Sequence, residues 1–292
     1  MKFKGIITAL ITPFYQGELD KHSFIQLIKN QLDEGVDGFV LNGTTGESPT
    51  LKEEEVSQVV EWTKVETAGA VPLILGIGHN NTYQAEKNIQ KAGKWKMDGA
   101  LAVVPYYNKP TGEGLKRHFK KIAEHSEVPV LLYNVPSRTQ TSLDISTIAE
   151  LSKKKQIQGI KEASGDMNFA EELFSKNIKS DFSFLSGDDS TYLDFAKKGG
   201  QGVVSVSSHF MLKPMKSFLN KVLEKDATAI NEFQKKYKDV LDCLYAVSNP
   251  IMIKQVMYLK KVIRSPELRL PLCEPESSFI EDIKKQLQTI NS

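Results

Sequence analysis

Short apolar runs alternate with longer amphipathic segments from the start of the chain to about residue 210. The runs Ile6 to Ile11, Gly38 to Leu41, Pro72 to Ile77, Ala100 to Val104, Pro129 to Tyr133, Ile157 to Lys161, Phe182 to Ser186 and Gly202 to Val206 are rich in β-branched residues. They read as strands buried on both faces. Between them apolar positions recur at helical spacing: Ser23 to Glu34 carries Phe24, Ile25, Leu27, Ile28 and Leu32. In Lys52 to Val65, Thr50 is the expected N-cap, with Glu53 three residues on. Eight strand and helix alternations over about 200 residues predict an α/β chain folded as a (β/α)8 TIM barrel. A doubly wound sheet would show fewer strands and a Gly-rich dinucleotide turn after the first. Beyond residue 210 the strand pattern stops. Helical spacing continues through Phe218 to Lys225, Ala229 to Val247, Pro250 to Val262 and Ser278 to Gln288, with Asn249 as cap and Pro250 at the first helical position of the third. The expected organisation is a barrel catalytic domain over 1–224 and a C-terminal helical appendage over 225–292.

Composition narrows the partners. A chain of 292 residues, 40% hydrophobic and 25% charged, can bury a large core. The net charge of +2 comes from 38 basic and 36 acidic residues mixed along the sequence, which leaves no footprint for nucleic acid or an anionic membrane. A small-molecule partner is expected. Cys243 and Cys273, without a CxxC, read as free thiols in a reducing compartment, and a cytoplasmic protein is expected. Lys2 and Lys4 precede the apolar stretch Gly5 to Ile11, which resembles a secretory h-region. It ends at Thr12-Pro13 without a small-x-small site, so it is read as the first strand. No stretch approaches the ~18 apolar residues of a membrane span.

Cofactor signals are weak. Gly76-Ile77-Gly78-His79-Asn80-Asn81 resembles a dinucleotide fingerprint, but its third glycine is Asn81 and it follows the third strand rather than the first. Asn80-Asn81-Thr82 is a glycosylation sequon by pattern alone. His22, His79, His118, His125 and His209 form no ligand cluster in sequence, and neither GxxxxGK[ST] nor HExxH occurs. No metal or cofactor is expected.

In a barrel the C-terminal ends of the strands form the active face. Lys161 ends the sixth run, Gly43-Thr44-Thr45-Gly46-Glu47 follows the second, Pro105-Tyr106-Tyr107-Asn108 the fourth, and Tyr133 to Thr139 closes the fifth. Taken singly, these are a solvated lysine, an ordinary Gly-rich turn, core tyrosines and a surface arginine. Their common placement gives them roles. The Gly43 to Gly46 turn offers backbone N–H groups and two hydroxyls to a small anion, most economically a carboxylate. Arg138, after the Pro136-Ser137 turn, suits a second carboxylate. Tyr133 and Tyr107 carry phenols suited to proton relay. A lysine amine must be desolvated, or set near donors, to attack a carbonyl, and Ile157 and Ile160 beside Lys161 provide an apolar setting. A Schiff base with a 2-oxo acid would make the adjacent methyl acidic and yield an enamine without a metal.

GTTGES, PYYNKP, YNVPSRT, GIKEASGD, LSGDD, GGQGVVSV, NPIMIK and LRLPL follow one another over nearly the whole chain. This ordered set resembles the dihydrodipicolinate synthase (4-hydroxy-tetrahydrodipicolinate synthase) family of the pyruvate-dependent class I aldolase superfamily. The resemblance implies a cofactor-independent, cytoplasmic homotetramer, assembled as a dimer of dimers. It would condense pyruvate with L-aspartate 4-semialdehyde in diaminopimelate and lysine synthesis. Carried over, Lys161 would form the pyruvate Schiff base, and Thr45 with the turn's N–H groups would hold the pyruvate carboxylate. Tyr133, Thr44 and Tyr107 would form the proton relay, Tyr107 coming from a neighbouring subunit. Arg138 would receive the semialdehyde carboxylate, and Gly187 and Val204 would line the pyruvate pocket.

Two alternatives remain. A sister aldolase, such as N-acetylneuraminate lyase or a 2-keto-3-deoxy sugar acid aldolase, shares Lys161, Tyr133 and the Gly-Thr turn, but those branches generally lack an arginine at the place of Arg138. A non-catalytic oxo-acid-binding barrel would have no use for a proton relay. Many relatives are inhibited by lysine near the positions of Ser48, Glu53, Val56, Asn80, Gln84 and Tyr106. Sensitive members place a glutamate where this chain has Gln84, and often histidines where it has Glu53 and Val56, so weak feedback by lysine is expected.

Overall fold

The computed structural model describes residues 3–176 and 178–290; Lys2, part of the basic flank considered above, lies outside the described residues. The strands are β1 (Gly5–Ala9), β2 (Gly38–Leu41), β3 (Leu73–Gly76), β4 (Gly99–Val103), β5 (Val130–Asn134), β6 (Ile157–Glu162), β7 (Ser183–Ser186) and β8 (Gly202–Ser205). They close into a barrel in which strands consecutive along the chain are neighbours and β8 returns to β1. Each expected apolar run overlaps one of these strands, with ends that agree to within two residues. The sequence pattern missed a two-residue hairpin, Phe14–Tyr15 with Glu18–Leu19, which is too short to show alternation.

The helices are α1 (Lys21–Asp33), α2 (Glu53–Thr67), α3 (Thr82–Lys94), α4 (Gly112–Glu124), α5 (Ile145–Leu151), α6 (Met167–Ser175), α7 (Tyr192–Lys197), α8 (Ser208–Leu223), α9 (Ala229–Tyr245), α10 (Ile251–Leu259) and α11 (Ser277–Ile290). Caps follow local chemistry: Asp20, Asn81, Thr111, Asp144 and Asp166 each accept from a backbone N–H of the first turn they precede. Two expected caps are corrected. Thr50 closes a 3-10 turn that starts at Ser48-Pro49, and its hydroxyl donates to the Glu47 carbonyl at 3.0 Å. Helix α2 begins after Lys52, whose N–H is taken by the Glu55 carboxylate at 2.8 Å. Helix α10 begins one residue later than expected, at Ile251, and the Asn249 side chain turns away to donate to Thr45 Oγ1 at 2.9 Å. Helix α8 begins at Ser208 rather than Phe218. Its first turns bury Ser208, His209, Met211 and Leu212 and contain Pro214, so the segment shows neither an amphipathic stripe nor an unbroken helical composition.

The chain forms two compact units, one from residues up to Ile7 with Pro72–Val204, the other from Thr8–Val71 with Ser205 onward. The expected domain boundary at 224/225 falls in the turn between α8 and α9. In the first unit β4, β5, β6 and β7 pair in parallel around Ala100, Leu131, Leu132, Ile160 and Leu185, all buried. The Phe174 ring stacks edge-on against Phe184 and Phe195 at 5.1 and 5.0 Å. In the second unit α9 packs on α8, α10 and α11, and the Phe218, Phe233 and Tyr237 rings meet at 5.1–6.1 Å. Among the described residues no helix is long and apolar enough to cross a membrane.

Candidate active site

In the first unit the pairing of β5 with β6 carries an irregularity. Val130 pairs with Ile157, but Leu131 pairs with Gly159, so Gln158 is an extra residue in β6. Were Gln158 paired with Leu131 instead of bulging out, Tyr133 would oppose Ile160. With the bulge Tyr133 opposes Lys161, and Asn134 opposes Glu162. The consequence is direct: Lys161 Nζ lies 4.2 Å from the centroid of the Tyr133 ring, and both residues are nine-tenths buried. The ring's negative face and the phenol are thus beside the amine.

Gly187 follows β7, and its N–H donates to the Glu162 carbonyl at 2.6 Å. A Cβ at that position would stand 2.7 Å from Lys161 Cε, 3.1 Å from Lys161 Cγ and 2.6 Å from Ala163 Cβ. Glycine is therefore what gives the lysine stem its path. Val204 is buried in β8. Arg138 sits in the helical turn Pro136–Thr139, where the Val135 carbonyl accepts from the N–H groups of Arg138 and Thr139 at 3.0 and 3.1 Å. Its side chain is exposed. Tyr107 adopts φ 73° and is 89% exposed, a conformation and a setting that a large aromatic residue rarely takes. Tyr106 beside it faces His79 at 6.4 Å between ring centroids.

In the second unit the turn after β2 is tied by three of its own amides: Gly46 N–H to Gly43 O at 3.1 Å, Glu47 N–H to Thr44 O at 3.1 Å and Ser48 N–H to Gly43 O at 3.3 Å. Those three amides are occupied within the turn. Thr45 is buried and Thr44 exposed. Because Thr45 Oγ1 accepts from Asn249, its own proton is left to donate. Asn249 was read from sequence as a cap, and nothing in a lone Asn-Pro reveals this second use.

Glu47, with φ 56°, ends the turn and is fully buried against Lys254, itself fully buried in α10. The Arg269 N–H also donates to Glu47 Oε2 at 2.9 Å, while the Arg269 guanidinium grips both Glu55 oxygens at 2.8 and 2.5 Å. Burial pushes the Lys254 ammonium down to about 8, against the pull of the Glu47 charge. A lysine inside the apolar run Ile251–Leu259 is a signal legible in the sequence, since a charge in such a run needs a buried partner.

Among the residues expected near a lysine effector, Gln84 donates to Asn88 Oδ1 at 3.0 Å, and Asn88 in turn donates to the Ile77 carbonyl at 3.1 Å. Ser48 and Asn80 are half-buried and Glu53 is exposed at the start of α2. Val56 is buried in the same helix.

His118 in α4 is buried beside Thr82 Oγ1, 2.9 Å from its Nδ1, and burial lowers its pKa from 6.5 to about 4. Below pH 6.5 the unfolded chain takes up a proton that the folded chain refuses, so this histidine's contribution to stability falls as pH falls toward 4. Between pH 7 and 5 it should amount to about 2 kcal/mol. Urea unfolding at the two pH values should show that loss in the native chain and not in His118→Gln; equal pH dependence in both would exclude it.

The fold is that of the (β/α)8 barrel enzymes. The chain belongs to the dihydrodipicolinate synthetase family, whose model matches residues 2–290. It is 45% identical to the 4-hydroxy-tetrahydrodipicolinate synthase of Bdellovibrio bacteriovorus over 272 residues, 93% of this chain and 92% of that one. Among solved structures, dihydrodipicolinate synthase from Thermotoga maritima superposes with a TM-score of 0.97 at 36% identity, covering 100% of this chain and 99% of that one. A monomeric dihydrodipicolinate synthase variant superposes with a TM-score of 0.96, also at 36% identity, over 99% and 97% of the two chains.

Proposed function

We propose that this protein condenses pyruvate with L-aspartate 4-semialdehyde to 4-hydroxy-tetrahydrodipicolinate, in diaminopimelate and lysine synthesis, through a Schiff base on Lys161. The observation that carries the mechanism is the buried Lys161 amine set 4.2 Å over the Tyr133 ring. The amine attacks the pyruvate carbonyl carbon and water leaves, giving an iminium. Loss of a methyl proton turns it into an enamine, whose terminal carbon forms the new bond to the aldehyde carbon. The semialdehyde's amino group then displaces Lys161 from the imine carbon, closing the ring and freeing the enzyme. Tyr133, Thr44 and Tyr107 carry protons in these steps, and the Thr45 hydroxyl with the Thr44 and Thr45 amides holds the pyruvate carboxylate. Gly187 and Val204 shape the pyruvate end. The protein is cytoplasmic and works as a homotetramer, a dimer of dimers; the 89% exposed ring of Tyr107 supports its delivery to a neighbouring subunit's site.

The sister aldolases are the second reading, and Arg138 favours the synthase, because a sugar acid offers no second carboxylate for it. Borohydride reduction with pyruvate, followed by a turnover assay with the semialdehyde, tests both steps. An adduct without semialdehyde turnover would move the protein to a sister branch. Arg138→Ala should lower kcat/KM for the semialdehyde about 10- to 150-fold, the loss of a charge-assisted contact of roughly 1.5–3 kcal/mol, with pyruvate adduct formation intact. Equal damage to both substrates would show Arg138 to be structural.

Feedback by L-lysine is weak in this reading. Gln84 is a neutral amide already engaged with Asn88, and it offers no anion to the inhibitor's ammonium. The missing charge-assisted bond is worth about 1–2 kcal/mol, roughly 5- to 30-fold in affinity. Titration at near-KM pyruvate should give half-inhibition above about a millimolar, the equivalent of ~4 kcal/mol of binding. A value well below that would overturn it.

A further inference from the structure

We propose that Asn134 and Glu162 are positioning residues, a buried hub behind Tyr133 and Lys161 that sets these two side chains, the Arg138 turn and Gly187 in one arrangement; the proposal rests on the reactive roles assigned above. Side chains alternate across a strand, so Asn134 and Glu162, each one residue past the reacting pair, point to the opposite face of the sheet. The extra residue Gln158 brings both couples into register at once. Asn134 is fully buried and Glu162 is 4% exposed.

Asn134 Nδ2 donates to Glu162 Oε2 at 2.8 Å, and the Ser164 N–H donates to Glu162 Oε1 at 2.6 Å. Asn134 Oδ1 accepts from the Leu143 N–H at 3.0 Å and from the Ser142 hydroxyl at 3.4 Å, which closes the loop that carries the Arg138 turn. The main chain repeats the tie: Ala163 N–H donates to Asn134 O at 2.9 Å, and Gly187 N–H to Glu162 O at 2.6 Å. The side-chain amide and carboxyl therefore join the ends of β5 and β6 to the two loops that follow them, and the main chain of the same two residues carries the ties to Ala163 and Gly187. Burial pushes the Glu162 carboxyl up, with the Ser164 and Asn134 bonds opposing it. A buried carboxyl held by neutral donors is costly, whereas an apolar pair would pack there without fixing register.

The network's polarity allows a specific rescue. In Glu162→Gln a donor faces the Asn134 amide or the Ser164 N–H, and in Asn134→Asp two carboxyls face each other. In the double variant Asn134→Asp/Glu162→Gln, the Asp accepts from Leu143, Ser142 and the Gln amide, and the Gln oxygen accepts from Ser164, so every bond is remade. The test measures borohydride-trapped adduct formation at saturating pyruvate in the full chain. It also measures amide exchange of Leu143, Ala163 and Ser164 without ligand. Each single variant should slow adduct formation roughly 10- to 100-fold, the cost of misplacing reacting groups by about an ångström, and speed exchange at the three amides. The swap should return adduct formation to within about fivefold of the native chain and restore exchange.

Single variants within about threefold of the native rate overturn the proposal, as does a swap no faster than independent losses predict. If a single variant fails to fold, a folded and active swap upholds the hub and an unfolded swap overturns it. If even the native chain traps no adduct, the Schiff-base reading has failed. Exchange then decides the hub by itself: loss and rescue uphold it, unchanged amides overturn it.

Discussion

Lys161→Ala will abolish the borohydride-trapped pyruvate adduct and lower turnover by at least on the order of 10⁴-fold, the scale of removing a nucleophile on which every later step depends. The enamine exists only while the substrate is attached to an amine, so the loss cannot be recovered by raising pyruvate. Lys161→Arg should be nearly as inactive, because a guanidinium stays protonated and cannot condense with a ketone. Stability should change little or rise, since the side chain is buried with its nitrogen facing the Tyr133 ring. Alanine removes that buried polar group together with its stem. Peptide mapping after reduction should place a three-carbon adduct on Lys161 in the native chain. An adduct on another lysine, or turnover within about 100-fold of native in Lys161→Ala, would remove Lys161 from the mechanism.

The barrel was legible because strands buried on both faces lose their polar alternation and stand out as apolar runs, while the intervening helices keep a stripe. Where that contrast failed, the reading failed: the start of α8 buries Ser208, His209, Met211 and Leu212 and holds Pro214, and the hairpin at Phe14 is two residues to a strand. Residues with chemistry could be located at strand ends by their motifs. Their mutual geometry could not, since it depends on one inserted residue. Gln158 looks like any polar position in an apolar run, yet it decides that Tyr133 and not Asn134 faces Lys161. The supporting residues were harder still. Asn249 reads as a helix cap, and Glu162 as a polar neighbour of the lysine, because hydrogen-bond partners far apart in sequence leave no local trace.

Lys254→Met will lower the unfolding free energy by about 3–5 kcal/mol, the cost of leaving a buried carboxylate without its counter-charge. Both side chains of the Glu47 and Lys254 pair are fully buried. Among the described residues the Lys254 ammonium is the partner of Glu47 Oε1, while Oε2 keeps the Arg269 N–H at 2.9 Å. Methionine fills similar space beside the Phe14 ring, over which the ammonium lies at 4.1 Å, so the loss is electrostatic rather than a cavity. The reverse change, Glu47→Gln, should cost less, about 1–2 kcal/mol. Burial has already lowered Lys254 to about 8 and Glu47 is what holds it up, so the stranded lysine can shed its proton and remain a neutral donor to the Glu267 carbonyl at 2.7 Å. In Glu47→Gln/Lys254→Met neither charge remains, and the two losses should fall short of their sum by about 2 kcal/mol or more. Urea unfolding of the four proteins at one fixed protein concentration measures this coupling. The pair lies at the end of the Thr44 and Thr45 turn, so the same variants should raise KM for pyruvate in the order of their instability. Additive losses would mean that Glu47 finds another partner once Lys254 is gone, and that the turn is held by its own three amide bonds.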